Sequence, residues 1–331
     1  MPFEGTLLLR RSDVAGLLTL RDSIDAIEEI FRLQGEGKVP APKILGVSVQ
    51  GGGLHVKAGL LPRHKDYLVA KLNANFPGNN ARFNLPTIQG VIVIFDAENG
   101  LPLAILDSID ITLKRTAAAS AIAAKYLARP DSCVATVCGC GQQGRAQLRA
   151  VLLVLRLTKV YAFDVNERAA IDFKNELSLE LKIDIEPVQD LAGAIQKSDL
   201  CITCTTANEY FICKQDVRPG TFIAAVGADD AHKQEIDPAL IASAKVVADS
   251  LEQACTIGDV HHAITHGLIR KEDVYAELCE IVACNKPGRV SQAEIIVFDS
   301  TGVAIEDAAA AAIVYEKALA GRIGNYFEFA G

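Results

Sequence analysis

At 331 residues, half of them hydrophobic, the chain is long enough for two domains with separate cores. No uncharged apolar run reaches the roughly 18 to 20 residues that span a bilayer, and a net charge of −8 argues against non-specific nucleic-acid binding. The N-terminus lacks a basic region followed by an apolar core, so no secretory signal is read there. Without one, the nine cysteines are expected as reduced thiols in the cytoplasm.

Residues 12–36 read as one helix, capped by Ser12 or Asp13, with Leu17, Leu18, Ile24, Ile27, Ile30 and Phe31 at helical spacing. After a loop at 35–42, strand-like segments follow at 44–49, 54–58, 67–73 and 90–95, with 101–106 as a further candidate. Gly/Pro/Asn-rich turns separate them and no helix crosses between them, so an antiparallel or mixed sheet is expected. An alanine-rich helix over 110–128 stops before Pro130 and is the expected connector to a second domain. From there strands at 134–138, 159–163, 185–188, 200–204, 222–226 and 246–248 alternate with helices at 145–155, 167–180 and 190–197. That alternation predicts a parallel, doubly wound sheet. A last strand and turn at 294–302 lead into a second alanine-rich helix, from 304 to about 320, expected to pack back on the first domain.

The strand at 134–138 delivers Gly139-x-Gly141-x-x-Gly144, with Gln142 and Gln143 between the second and third glycines. The first glycine permits a tight turn, the second lets backbone approach a diphosphate, and the third lets the helix pack close to the sheet. The anion then rests on unpaired N–H groups at the positive end of a helix. The next strand ends on Asp164, twenty residues past the last glycine, where a carboxylate accepts hydrogen bonds from an adenosine ribose. The same charge repels a 2′-phosphate, so NADH is expected over NADPH. Beyond the ends of later strands stand Thr205 and Thr206, then Asp229, followed by Lys233 and Glu235. Asp229 beside a nicotinamide can orient an amino group or move its proton, or it can simply cap a helix or form a turn.

In the first domain Lys57 and Lys71 interrupt apolar strands, and Lys43 and Arg115 stand near them in the reading. Each is a snorkelling cation or a group held at a site for a substrate carboxylate. The planar fork of Arg115 is suited to gripping a carboxylate or phosphate. Cys201-x-x-Cys204 lies in an apolar strand whose alternation sends the two thiols apart, and no second pair at ligand spacing completes a metal site. His261 and His262 are read as packing or capping residues.

Five stretches together resemble the ornithine cyclodeaminase/mu-crystallin family across nearly the whole chain. They are Lys71-Leu-Asn-Ala-Asn-Phe-Pro-Gly-Asn, Ile111-Thr-Leu-Lys-Arg-Thr-Ala-Ala-Ala-Ser-Ala, the glycine loop, Val226-Gly-Ala-Asp with Lys233-Gln-Glu, and Phe298-Asp-Ser-Thr-Gly. The resemblance implies an α/β fold: a Rossmann-type doubly wound sheet over 116–302, and a strand-rich α+β substrate and dimerisation domain from 1–115 with 303–331. It implies a homodimer whose first domains pair, no membrane or nucleic-acid partner, and redox chemistry at the Cα–N bond of a small amino or imino acid. Lys71 and Arg115 would then bind and polarise the substrate, while Thr116 lies near the cofactor phosphates; Thr205, Thr206, Val226 and Lys233 complete the expected cofactor contacts. Asp229 matches the acidic residue that cyclodeaminases use on the amino group. One departure is Lys43, where many members carry a carboxylate-binding arginine; lysine lacks the bidentate fork, and Lys57 is the expected helper. The expected function is therefore an NAD(H)-dependent imino-acid reductase or amino-acid dehydrogenase. Two alternatives stay open: a cyclodeaminase converting L-ornithine to L-proline and ammonia with catalytic NAD+, and a non-enzymatic dinucleotide-dependent binding protein.

Overall fold

The computed structural model describes residues 5–329. In chain order its elements begin with β1 (Thr6–Leu9), α1 (Arg11–Leu17), α2 (Leu20–Gly35), β2 (Lys43–Val49), β3 (Gly52–Leu61), β4 (Tyr67–Asn75), α3 (Asn79–Phe83), β5 (Ile88–Asp96) and β6 (Pro102–Asp107). Next come α4 (Ile109–Leu127), β7 (Val134–Cys138), α5 (Gln142–Val151), β8 (Lys159–Phe163), α6 (Glu167–Leu181), β9 (Asp184–Pro187), α7 (Leu191–Lys197), β10 (Leu200–Thr203) and β11 (Phe222–Ala225). The rest are α8 (Pro238–Ile241), β12 (Lys245–Ala248), α9 (Leu251–Ala254), α10 (Gly258–Thr265), β13 (Ala276–Glu277), α11 (Leu278–Val282), β14 (Ile296–Asp299), α12 (Ala304–Gly321) and β15 (Asn325–Phe327). Two compact units divide the chain: Met1–Arg115 with Val303–Gly331, and Thr116–Gly302. No helix among the described residues is long and apolar enough to cross a membrane.

The first unit is built on a seven-stranded mixed sheet of order β15-β1-β6-β5-β4-β3-β2. Only β1 and β6 run parallel; the other pairs are antiparallel. Side chains alternate between faces along each strand. One face presents Leu61, Tyr67, Val69, Ile92, Ile94, Ala104 and Leu106, all buried, and α12 packs against β3, β4, β5 and α2. α2 adds Ile24, Ile27, Ile30 and Phe31 to this core. The opposite face is apolar but open: Leu45, Val47, Val49, Leu54, Leu68 and Val91 are 37–59% exposed.

The expected single helix over 12–36 is two helices. Thr19 is extended and starts α2 afresh, its hydroxyl accepting from the Asp22 N–H at 3.1 Å while the Asp22 carboxylate accepts from the Thr19 N–H at 2.9 Å. This reciprocal cap satisfies two donors that a continuous helix would have satisfied internally. Nor do Ser12 and Asp13 cap α1; both lie inside its first turn, and the Asp13 carboxylate accepts from the Arg10 N–H.

The second unit holds an eight-stranded sheet of order β13-β12-β14-β11-β10-β7-β8-β9, every pair parallel. β10, β11 and β14 are buried throughout, as expected for strands covered on both faces. The order reverses at β7, so the crevice beyond the ends of β7 and β10 is the topological switch point where ligands bind in such sheets. α5 begins at Gln142 rather than at Arg145 and ends at Val151; Gly141 is its N-cap. Cys201 and Cys138 are buried in adjacent strands, and Cys204 lies just past the end of β10 with its thiol toward the Cys138 and Gly139 carbonyls.

Candidate active site

The glycine turn is sterically specified. Gly139 has φ of +95°, and Gly144 sits so close beneath the turn that a Cβ there would lie 2.1 Å from the Gly139 carbonyl oxygen. Gly141 differs: a Cβ on it would meet nothing within 4 Å, so this backbone faces open space. Because α5 starts at Gln142, the N–H groups of Gln142 and Gln143 belong to the first turn, which has no intrahelical acceptors. The side-chain nitrogen of Gln143 is buried and has no hydrogen-bond partner. Open backbone, a helix N-terminus and an orphaned donor together fit a dinucleotide diphosphate.

Asp164 stands just past β8. Its carboxylate accepts from the Cys140 N–H at 2.8 Å and from the Asn166 N–H at 2.9 Å, which turns it back toward the glycine loop. Each oxygen keeps a further lone pair for a ribose hydroxyl. Arg145 closes the turn from the other side, donating to the Cys140 carbonyl and pairing with Glu176 at 2.7 Å.

The ends of β10 and β11 are tied together by Glu235, a fully buried carboxylate whose organising role the sequence reading missed. It accepts from the Thr203 hydroxyl at 2.6 Å, from the Thr205 hydroxyl and N–H at 2.7 Å each, and from the Gly227 N–H at 2.7 Å. Burial pushes its pKa up, and these four donors oppose that shift. Behind it, Asp259 accepts from the N–H groups of Glu235 and Ile236, both at 2.8 Å. Burial and then the Glu235 charge push Asp259 up to about 7. Asp299, in the Phe298-Asp-Ser-Thr-Gly stretch, accepts from the Val260 N–H at 2.9 Å and so caps α10. The Thr205 hydroxyl is therefore engaged within the chain, whereas Thr206 is exposed at the strand end. Val226 is buried, donating its N–H to the Thr203 carbonyl. Thr116 is also buried, its carbonyl accepting from Gln147 at 3.4 Å.

Asp229 caps no helix; it lies in an exposed turn, 2.6 Å from the Lys233 ammonium. His262 packs beneath this segment, its Nε2 2.8 Å from the Lys233 carbonyl oxygen. Among the described residues no group of three or more His, Cys, Asp or Glu is arranged to hold a metal ion.

In the first unit, three of the four expected cations come together. Lys57 and Lys71 are directly paired across β3 and β4 on the covered face of the sheet. Lys71 is buried, its ammonium 2.6 Å from Asp307 and 3.5 Å from the Thr112 hydroxyl. Arg115 reaches the same carboxylate at 3.1 Å and Glu306 at 2.7 Å. Two nitrogens of its fork, Nε and Nη1, are thus engaged by the chain's own acids. Lys43 does not join them. The register pairs Ile44 with Lys57 and Lys43 with Ala58, so strand alternation sends Lys43 to the opposite face. Burial pulls the Lys71 pKa down to about 8, with Asp307 holding it up against Arg115 and Lys57. Glu306 and Asp307 escaped the sequence reading. The signal was two adjacent acids inside an otherwise apolar, alanine-rich helix, the same kind of interruption that marked the lysines.

The fold is shared with proteins of known structure. An archaeal alanine dehydrogenase dimer with bound NAD is 37% identical, superimposes with a TM-score of 0.94, and is matched over 98% of this chain and 99% of that one. The Delta(1)-pyrroline-2-carboxylate reductase of Thermococcus litoralis, solved with NADH and L-proline, is 36% identical with a TM-score of 0.90, over 97% of this chain and 100% of that one. The iminosuccinate reductase of Paracoccus denitrificans, solved with NAD+, is 31% identical with a TM-score of 0.92, over 98% of this chain and 100% of that one. The model of the ornithine cyclodeaminase/mu-crystallin family matches residues 4–322, and the chain belongs to that family.

Proposed function

We propose that this protein is an NADH-dependent enzyme that reduces the C=N bond of a small 2-imino acid, or in reverse oxidises the corresponding amino acid. The observation that carries this reading is the buried cluster around Lys71. Three cations (Lys57, Lys71, Arg115) surround two carboxylates (Glu306, Asp307), which suits an anionic substrate of the imino-carboxylate type. Bound at the glycine turn, NADH supplies the hydride. In the first unit the Lys71 ammonium is suited to a substrate carboxylate or an imine nitrogen, and in the second the Asp229 carboxylate is suited to an amino group. Assays with 2-oxo acids and ammonium, which form imines in solution, test this directly: net NADH consumption supports it. Ammonia release from a diamino acid without net NADH change would mark a cyclodeaminase instead. Tight NADH binding with no turnover on either would mark a binding protein.

Asp164 sets the nucleotide preference by repelling a 2′-phosphate. Asp164→Ala is expected to weaken NADH binding more than NADPH binding, so that the ratio of their dissociation constants moves toward NADPH. An unchanged ratio in titrations of both nucleotides would count against this assignment.

The open apolar face of the first-unit sheet is the proposed homodimer interface. Six aliphatic side chains exposed together on one face mark a candidate interaction surface. Leu45→Glu with Val91→Glu would place two charges there, and sedimentation is expected to show the wild type as a dimer and the variant as a monomer. A variant that stays dimeric would place the interface elsewhere.

A further inference from the structure

α12 carries two adjacent acids into the core of the first unit, Glu306 at 0% and Asp307 at 1% exposure. Burying two carboxylates costs several kcal/mol each unless they are paired, so their position calls for a reason beyond packing. They do different things. Glu306 pairs with Nη1 of Arg115, whereas Asp307 divides its oxygens, Oδ1 to Nε of Arg115 and Oδ2 to Nζ of Lys71. The guanidinium thereby fixes the orientation of the carboxylate that meets the lysine.

The electrostatics around Lys71 are lopsided. From β3 faces Lys57, with His55 two residues away on the same face; from α4 come Arg115 and the neutral Thr112; from α12 come Glu306 and Asp307. Arg115 and Lys57 both disfavour an ammonium at this place, and so does burial. The counter-charge at bonding distance is Asp307. The carboxylate itself is held well ionised: burial would raise its pKa, but Arg115, Lys71 and Lys57 together more than offset this.

Resting on the function proposed above, we infer that Asp307 is a positioning residue that keeps Lys71 in its ammonium form and aimed at the substrate, and that Arg115 serves the reaction by orienting Asp307. Burial pulls the Lys71 pKa down to about 8, so a change in its surroundings alters how much of the cation is present.

The test is the titration of Lys71, followed by NMR in protein labelled at the lysine Cε carbons and assigned with Lys71→Arg. It is run alongside kcat/KM against pH for NADH oxidation. Wild-type Lys71 is expected to titrate near pH 8, with the basic limb of the rate profile at the same pH. In Asp307→Asn both midpoints are expected to fall by at least about one pH unit. The fold deficit then grows with pH, levelling off above pH 8, and shrinks toward pH 6, and NADH affinity is unchanged. Asp307→Glu restores the charge and returns the limb toward its wild-type position. Lys57→Gln removes a neighbouring cation while leaving the Arg115–Asp307 pair in place and is expected to shift the Lys71 midpoint up, which supplies a result of opposite sign should Asp307→Asn not fold. A Lys71 midpoint unmoved in the folded variants overturns the inference. So does a moved midpoint that the rate profile does not follow, or a loss of activity equal at all pH. If wild-type protein oxidises NADH with no imino acid, the proposed function fails, while the NMR midpoints still decide what Asp307 does to Lys71.

Discussion

Gly141→Ala is expected to weaken NADH binding by at least about tenfold, equivalent to 1.4 kcal/mol, while leaving the melting temperature unchanged. The added methyl meets no protein atom within 4 Å and the backbone is extended, so the fold accepts it. What it does meet is the diphosphate that this backbone is expected to approach. Gly144→Ala is the contrasting case. Its Cβ would lie 2.1 Å from a backbone oxygen, so either the turn or the start of α5 must shift. That variant is expected to lose both stability and measurable NADH binding. Calorimetric titration paired with thermal melts separates the two effects, and undiminished NADH affinity in folded Gly141→Ala would mean that no ligand occupies this place.

Lys71→Ala is expected to lower turnover by at least about tenfold, more than 1.4 kcal/mol of barrier, with NADH affinity retained. The reason is electrostatic: the ammonium is the buried donor on the covered face of β4, and its removal leaves Asp307 held by Arg115 with Lys57 nearby. Asp229→Ala is expected to cost a similar factor, removing an exposed carboxylate 2.6 Å from the Lys233 ammonium. Steady-state rates at saturating NADH check both; full activity in both variants would remove them from the mechanism.

How much of this was legible in the residues depends on how local the signal is. The parallel sheet was readable because strands covered on both faces are short continuous apolar runs, and 134–138 and 159–163 coincide with β7 and β8. The glycine turn was readable because its steric demands fall on three residues within six positions. The start of α5 was not, because glutamines at 142 and 143 carry no apolar periodicity and their helical state follows from the Gly141 cap. The break at Thr19 was written in the chain as Thr-x-x-Asp, but a strong apolar period running through Leu17 and Leu18 masked it. Pairings between distant segments were beyond reach. Nothing near Lys71 in sequence announces Asp307, and nothing near Glu235 announces Thr203 and Thr205. That Lys43 stands apart from Lys57 and Lys71 was hidden for a related reason: which face a strand residue takes depends on register, and one residue decides it.

The most direct measurement of the central claim is isotope transfer. NADH carrying deuterium at both C4 positions of the nicotinamide is supplied with a 2-oxo acid and ammonium that support turnover, and the amino-acid product is examined by mass spectrometry and NMR. One deuterium on the product Cα is the result expected of hydride delivery to a C=N carbon. A product without deuterium, formed while NADH is consumed, would contradict redox chemistry at the Cα–N bond.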